Sequence, residues 1–191
     1  MSYLAGSESM AGACGEVVLR DIRKRDIDDY ERWFTRKTEW TRWDAPWKRM
    51  DETEAERYIA RLRQRVEEHC PPSGRRYEIY CGGSHVGWVS SYFMDEQKQR
   101  LAVGINIPED DFWGMGIGRK ALAMFVSKLF EQGFGRLFCQ TWSGNKRMMR
   151  LAASVGFALC ADFGSVTVRG EEYRRLAFVI HNPDEPDGRL G

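Results

Sequence analysis

The segment DFWGMGIGRKAL, residues 111–122, places Gly114, Gly116 and Gly118 at alternate positions just ahead of an apolar helical pattern. Glycine costs backbone entropy, so this clustering calls for unusual torsions or a very close approach by another group. Between a strand and a helix, such a turn directs several N–H groups into one concavity, and the helix dipole adds positive potential there. That arrangement is a phosphate cradle. A tight turn without a ligand is the competing reading, although one glycine suffices for a turn. A P-loop fits poorly, because Gly118 is followed by Arg119, Lys120 and Ala121 instead of Lys and then Ser or Thr. A dinucleotide fold fits poorly too. The spacing is G-x-G-x-G, and the next strand ends in Gln140 and Thr141, where an acidic ribose ligand belongs.

The elements that must position this turn are legible in the hydrophobic periods. GEVVLRDI, RRYEIYCGG, SHVGWVSSYF, RLAVGINIP and RLFCQTW read as strands, and ALCADFGSVTVRGEEYRRLAFVI as a closing hairpin. Helical spacing puts Ile27, Tyr30, Trp33 and Phe34 on one stripe, with Asp26 as the expected cap. A second helix turns Ala55, Tyr58, Ile59, Leu62 and Val66 inward, and Asp51 with Glu54 predicts a capping box. The helix after the glycines buries Leu122, Phe125, Val126, Leu129 and Phe130 and ends at Gly133. NKRMMRLAASVGF is the last helix. The order β α α β β β α β α β β predicts an α/β fold with a mixed sheet and helices on both faces. One segment, TEWTRWDAPWKRM, is not periodic; in it Trp40, Trp43 and Trp47 crowd around Asp44 and Pro46.

Length and composition bound the rest. A chain of 191 residues predicts one domain, assigned here to 15–182, with short tails over 1–14 and 183–191. Net charge is +1, from 29 basic and 28 acidic residues, which gives no support to a nucleic-acid or polybasic membrane surface. Cys14, Cys70, Cys81, Cys139 and Cys160 form no CxxC pair, so free thiols in a reducing cytoplasm are expected. His69, His85 and His181 lack ligand spacing, so no metal is expected. Neither a signal peptide nor an apolar span is legible.

NIPEDDFWGMGIGRKAL, followed one strand later by NKRMMRLAASVGF, resembles the GNAT superfamily of acyl-CoA-dependent N-acetyltransferases. Trp113 stands where that family usually has Arg or Gln; with the Trp-rich segment, it is similar to the branch of ribosomal-protein N-terminal acetyltransferases. The resemblance implies a twisted sheet of about seven strands, splayed between the AVGINIP and RLFCQTW strands. It implies acetyl-CoA in that wedge. The pyrophosphate would lie on the amides of Gly114, Met115, Gly116, Ile117, Gly118 and Arg119, and the pantetheine along the backbone of Ile105, Asn106 and Ile107. Asn145 matches an asparagine that helps hold the cofactor, with a plain N-cap as its other reading.

The implied reaction is acetyl transfer to a primary amine: a protein N-terminus, a lysine or a small molecule. The protein partner is then the acceptor alone, and the chain a monomer or homodimer. The family's usual acids and base are missing, since their positions hold Ala152, Met148 and Val103. Asp44 is the candidate catalytic base, against a turn role beside Pro46. Glu39, Trp40, Trp43 and Trp47 are candidate acceptor-binding residues, because aromatic faces attract cations; core packing is the other reading of the tryptophans. A non-catalytic acyl-CoA-binding module is the alternative function.

Overall fold

The computed structural model describes residues 15–48 and 50–184. The periods resolve into seven strands and four α-helices in the expected order. The strands are β1 (Val17–Arg20), β2 (Arg76–Cys81), β3 (Ser84–Phe93), β4 (Leu101–Asn106), β5 (Arg136–Trp142), β6 (Ala158–Val168) and β7 (Glu171–His181). The helices are α1 (Ile27–Thr35), α2 (Glu52–Glu67), α3 (Ile117–Glu131) and α4 (Lys146–Val155). One sheet contains every strand in the order β1-β2-β3-β4-β5-β7-β6. Neighbours run antiparallel except β4 and β5, which run parallel across the α3 crossover.

Strand alternation gives the sheet two apolar faces. On one, Leu122, Phe125 and Leu129 of α3 pack on Val89, Val103 and Leu137. On the other, Tyr30, Trp33, Ile59 and Leu62 of α1 and α2 pack on Trp88, with Trp40 closing the cluster. The capping box of α2 forms as the sequence predicts: Glu54 N–H donates to Asp51 at 2.8 Å and Asp51 N–H donates to Glu54 at 3.0 Å. Gly133 takes φ +90° just past α3, the left-handed torsion that ends a helix.

Polar residues inside the α1 face depart from simple alternation. Glu78 is fully buried and accepts from the Tyr30 hydroxyl at 2.6 Å and from Arg76 at 3.2 Å. His85 lies between carboxylates, 2.9 Å from Asp29 and 3.1 Å from Glu78. Asp26 does not cap α1 with its side chain. It turns back into the protein, where it accepts from Arg20 at 2.8 Å, Arg23 N–H at 2.7 Å and the Tyr80 hydroxyl at 2.5 Å. Burial alone would raise its carboxyl. Those three donors instead hold it below the usual carboxylate value.

Cys70, Cys139 and Cys160 are free, as expected, whereas Cys81 is disulfide-bonded, which corrects the expectation of free thiols throughout. Cys14, the tail over 1–14 and most of the tail over 183–191 lie outside the described residues. No helix among the described residues is long and apolar enough to cross a membrane.

Candidate active site

β4 and β5 share a single register pair, Ala102 with Phe138. From that point they diverge, and the edge of β4 from Val103 onward faces a cavity of about 1090 Å³. Ligand pockets run to about 300–1,000 Å³, so this one has room for a long arm and a second small molecule together. Its walls include Ile105, Asn106 and Ile107 of the β4 end, the turn before α3, the start of α4, and the Trp-rich segment.

The glycine turn forms one end. Gly114 (φ +81°) and Gly116 (φ +77°) adopt left-handed torsions, so the turn itself requires them. Gly118 differs: it lies in the first turn of α3, and an added Cβ would meet nothing nearer than Leu151 at 3.5 Å. Neither torsion nor crowding within the protein demands glycine there. A close approach from the cavity side would. Arg119, Arg147 and Arg150 line the same end and supply positive charge. Of the residues expected in the cradle, Met115 alone falls outside the cavity wall, with its side chain exposed.

Trp113 fixes the turn from below by donating its indole N–H to Ile107 O at 2.7 Å. That carbonyl is therefore already engaged. Asn145 caps α4, accepting from Met148 N–H at 3.0 Å, and its amide donates to Trp43 O at 2.8 Å. Trp142 donates to the same carbonyl at 3.1 Å. The Arg147 guanidinium lies between the Trp43 ring at 4.5 Å and the Trp113 ring at 4.1 Å. The Trp-rich segment is thus tied to β5, α4 and, through Arg147, the glycine turn. Within this wall the Trp43 indole nitrogen is buried without a hydrogen-bond partner among the described residues.

Asp44 lies in the cavity wall beside Asn106. It is open to solvent through the cavity, yet the surrounding apolar walls raise its carboxyl, and the side chain of Asn106 opposes the shift only in part. Tyr92 of β3 lines the same cavity and donates to Gln140 Oε1 at 3.0 Å. Burial, then Cys139 and Asp44, pushes its phenol up to about 12.

The sequence matches the Acetyltransferase (GNAT) domain family over residues 16–158. The chain belongs to the GNAT acetyltransferase family. Among solved structures it is similar to a ribosomal-protein-S5-alanine acetyltransferase of Vibrio fischeri, with TM-score 0.68 and 18% identity over 92% of this chain and 98% of that one. It is also similar to RimL, a ribosomal-protein alpha-N-acetyltransferase in complex with coenzyme A, with TM-score 0.66 and 15% identity over 86% and 93%. An aminoglycoside acetyltransferase with coenzyme A gives TM-score 0.61 and 16% identity over 89% and 97%. Among curated proteins, none matches the sequence significantly. This GNAT protein is an acyltransferase that uses acetyl-CoA, and its sheet is the seven-stranded GNAT sheet.

Within the GNAT frame, the expected site residues separate. Asp44, Trp40, Trp43 and Trp47 all reach the cavity. Trp40 is also core: it is 7% exposed and donates to Trp33 O at 3.1 Å. Glu39 does not reach it; it pairs with Arg42 at 2.9 Å on the outer surface. Glu109, the first of three successive acids before the glycine turn, is buried. It accepts from Trp33 at 2.6 Å, Arg32 at 2.5 Å and Lys37 at 2.9 Å, which anchors the loop before the glycine turn to α1. Ala152 is fully buried and Met148 lines the cavity, so neither family acid position carries a proton here. Sequence reasoning missed Tyr92 and Gln140. The two lie on strands that do not pair, 48 positions apart, so no local pattern in the sequence joins them.

Proposed function

We propose that this enzyme moves an acetyl group from acetyl-CoA to a primary amine by direct attack in a ternary complex. The acceptor class is a protein N-terminus, a lysine side chain or a small amine. Support for the cosubstrate comes from the cavity end where Gly114, Gly116, Ile117, Gly118 and Arg119 line the wall together with Arg147 and Arg150, a setting suited to a pyrophosphate. The backbone of Ile105 and Asn106 lies along the wedge for the pantetheine amides, with the Ile107 carbonyl already engaged. Asn145 borders the same path.

A protonated amine cannot attack, so a base must take its proton. Asp44 lines the same cavity, and burial raises its carboxyl above the usual carboxylate value. Trp43 and Trp47 offer flat faces to the cationic acceptor before it is deprotonated. The observation that carries this reading is that the cradle and Asp44 open onto one cavity at the β4–β5 divergence.

The test is coenzyme A thiol release from acetyl-CoA, with peptides bearing free N-termini, lysine peptides, polyamines and aminoglycosides as acceptors. Amine-dependent release supports the reading. Tight acetyl-CoA binding with no release for any amine would leave only the binding-module function.

A further inference from the structure

The departing sulfur needs a proton, and neither Met148 nor Ala152 of α4 can give one. We propose that Tyr92, on β3, is the catalytic residue that protonates the coenzyme A thiolate. The inference rests on the amine-acetylation reading above.

Three observations converge. Tyr92 pairs with Ala102, and Ala102 forms the last pair between β4 and β5, so Tyr92 stands at the apex of the wedge. Its side chain crosses that apex, since its hydroxyl reaches Gln140 on β5 at 3.0 Å. With the phosphates at the β4 C-terminal end, a pantetheine arm in the wedge brings its sulfur toward this bridge. Tyr92 is 44% exposed as a residue and lines the cavity, so its side chain borders open space and is not sealed in packed core. The other hydroxyls in the cavity wall are placed differently. Ser90 is one pleat nearer the mouth, and Thr141, adjacent to Gln140, belongs to the opposite face of β5.

The step balances. The amine nitrogen bonds to the thioester carbonyl carbon, the C–S bond breaks, and sulfur leaves with the electron pair. The Tyr92 hydroxyl turns its proton from Gln140 Oε1 to the sulfur and gives it up there. The proton lost by nitrogen goes to Asp44 and then, through water, to the Tyr92 phenolate. Nitrogen loses one proton, sulfur gains one, and both side chains return to their starting states. Gln140 serves as a positioning residue that holds the hydroxyl across the apex.

Tyr92→Phe keeps the ring and removes the proton. Turnover should fall roughly 10²-fold, the lower end for general acids, because a thiol of pKa ~8.5 is a tolerable leaving group. The acetyl-CoA dissociation constant by calorimetry and the acceptor KM should stay near wild type. A difluorotyrosine at position 92 keeps the hydrogen bond to Gln140 and lowers the phenol pKa, so it separates the proton from the fold. It should bring the alkaline fall of kcat down toward neutral pH. Wild-type kcat in Tyr92→Phe, or an alkaline limb unmoved by fluorination, overturns the assignment; so does a change confined to acceptor KM. Absence of turnover in the wild type with every amine overturns the acetylation reading and this inference with it. Undiminished turnover in Tyr92→Phe overturns this inference alone.

Discussion

At position 118 the protein gives no internal reason for glycine: φ is helical and the nearest atom to an added Cβ is 3.5 Å away. Gly118→Asp should therefore fold normally and lose most of its acetyl-CoA affinity, since a carboxylate would meet the phosphates. Calorimetry on a folded variant checks this, and near-normal affinity would place the phosphates elsewhere. Asp44 makes the complementary case on the acceptor side. Asp44→Asn keeps the shape, so acetyl-CoA affinity should hold while kcat falls by roughly 10²-fold or more for loss of a general base. Because a base works only when deprotonated, the raised Asp44 carboxyl should set the acid limb of wild-type activity above the usual carboxylate value of ~3.9, and the variant should lose that limb. A rise in acceptor KM at constant kcat would assign Asp44 to binding. Residue types at special spacing were the legible part: the glycines announced a cradle and the lone acid among tryptophans announced a pocket. Tyr92 was not legible. In SHVGWVSSYF it reads as an ordinary strand aromatic, and its partner Gln140 is 48 positions away.

Elements were more legible than the contacts between them. Periods of 2 and 3.6 locate faces, so every strand and helix could be placed. They say nothing of which buried polar groups meet. Glu109 shows the consequence. It is the first of three successive acids, and in the structure it joins Trp33, Arg32 and Lys37 to the loop before the glycine turn. Asp110 and Asp111 are half-exposed and exposed, each within reach of Lys37. Glu109→Ala leaves the Trp33 indole N–H buried without its acceptor and should cost about 1–3 kcal/mol, the usual penalty for such a group. Urea unfolding measures that loss. The same variant frees the entry to the glycine turn, so acetyl-CoA should bind more weakly even though Glu109 does not itself line the cavity. Stability falling with affinity untouched would mean that the turn holds its shape through Trp113 alone.

For the molecule as a whole, two different ligands report on the same folded state: protons and acetyl-CoA. Burial alone would raise Asp26 and Glu109. Donors around them, Arg20 and Tyr80 for one and Trp33 and Lys37 for the other, leave both carboxyls below their usual values. A carboxyl depressed by folding stabilises the native state fully above its unfolded pKa, ~3.9 for Asp and ~4.3 for Glu, and that stability is lost as pH falls through the lower folded values. The urea midpoint should therefore decline as pH drops below about 4, and Asp26→Asn should flatten the decline from a lower starting stability. Acetyl-CoA acts in the opposite sense, and its test needs no assumption about the acceptor. A ligand that binds only the native state adds about 2.7 kcal/mol at ~100 times its dissociation constant. For a domain of this size each kcal/mol moves the midpoint by roughly 2–4 °C, so saturating acetyl-CoA should raise Tm by roughly 5–10 °C. ATP and NAD carry phosphates without a pantetheine arm to occupy the β4–β5 wedge, so they should move it little. Comparable shifts from all three would mean that the arginines near the cradle bind anions without discrimination. The wedge would then contribute nothing to recognition, although it is the feature of the sheet that best matches a long amide-bearing arm.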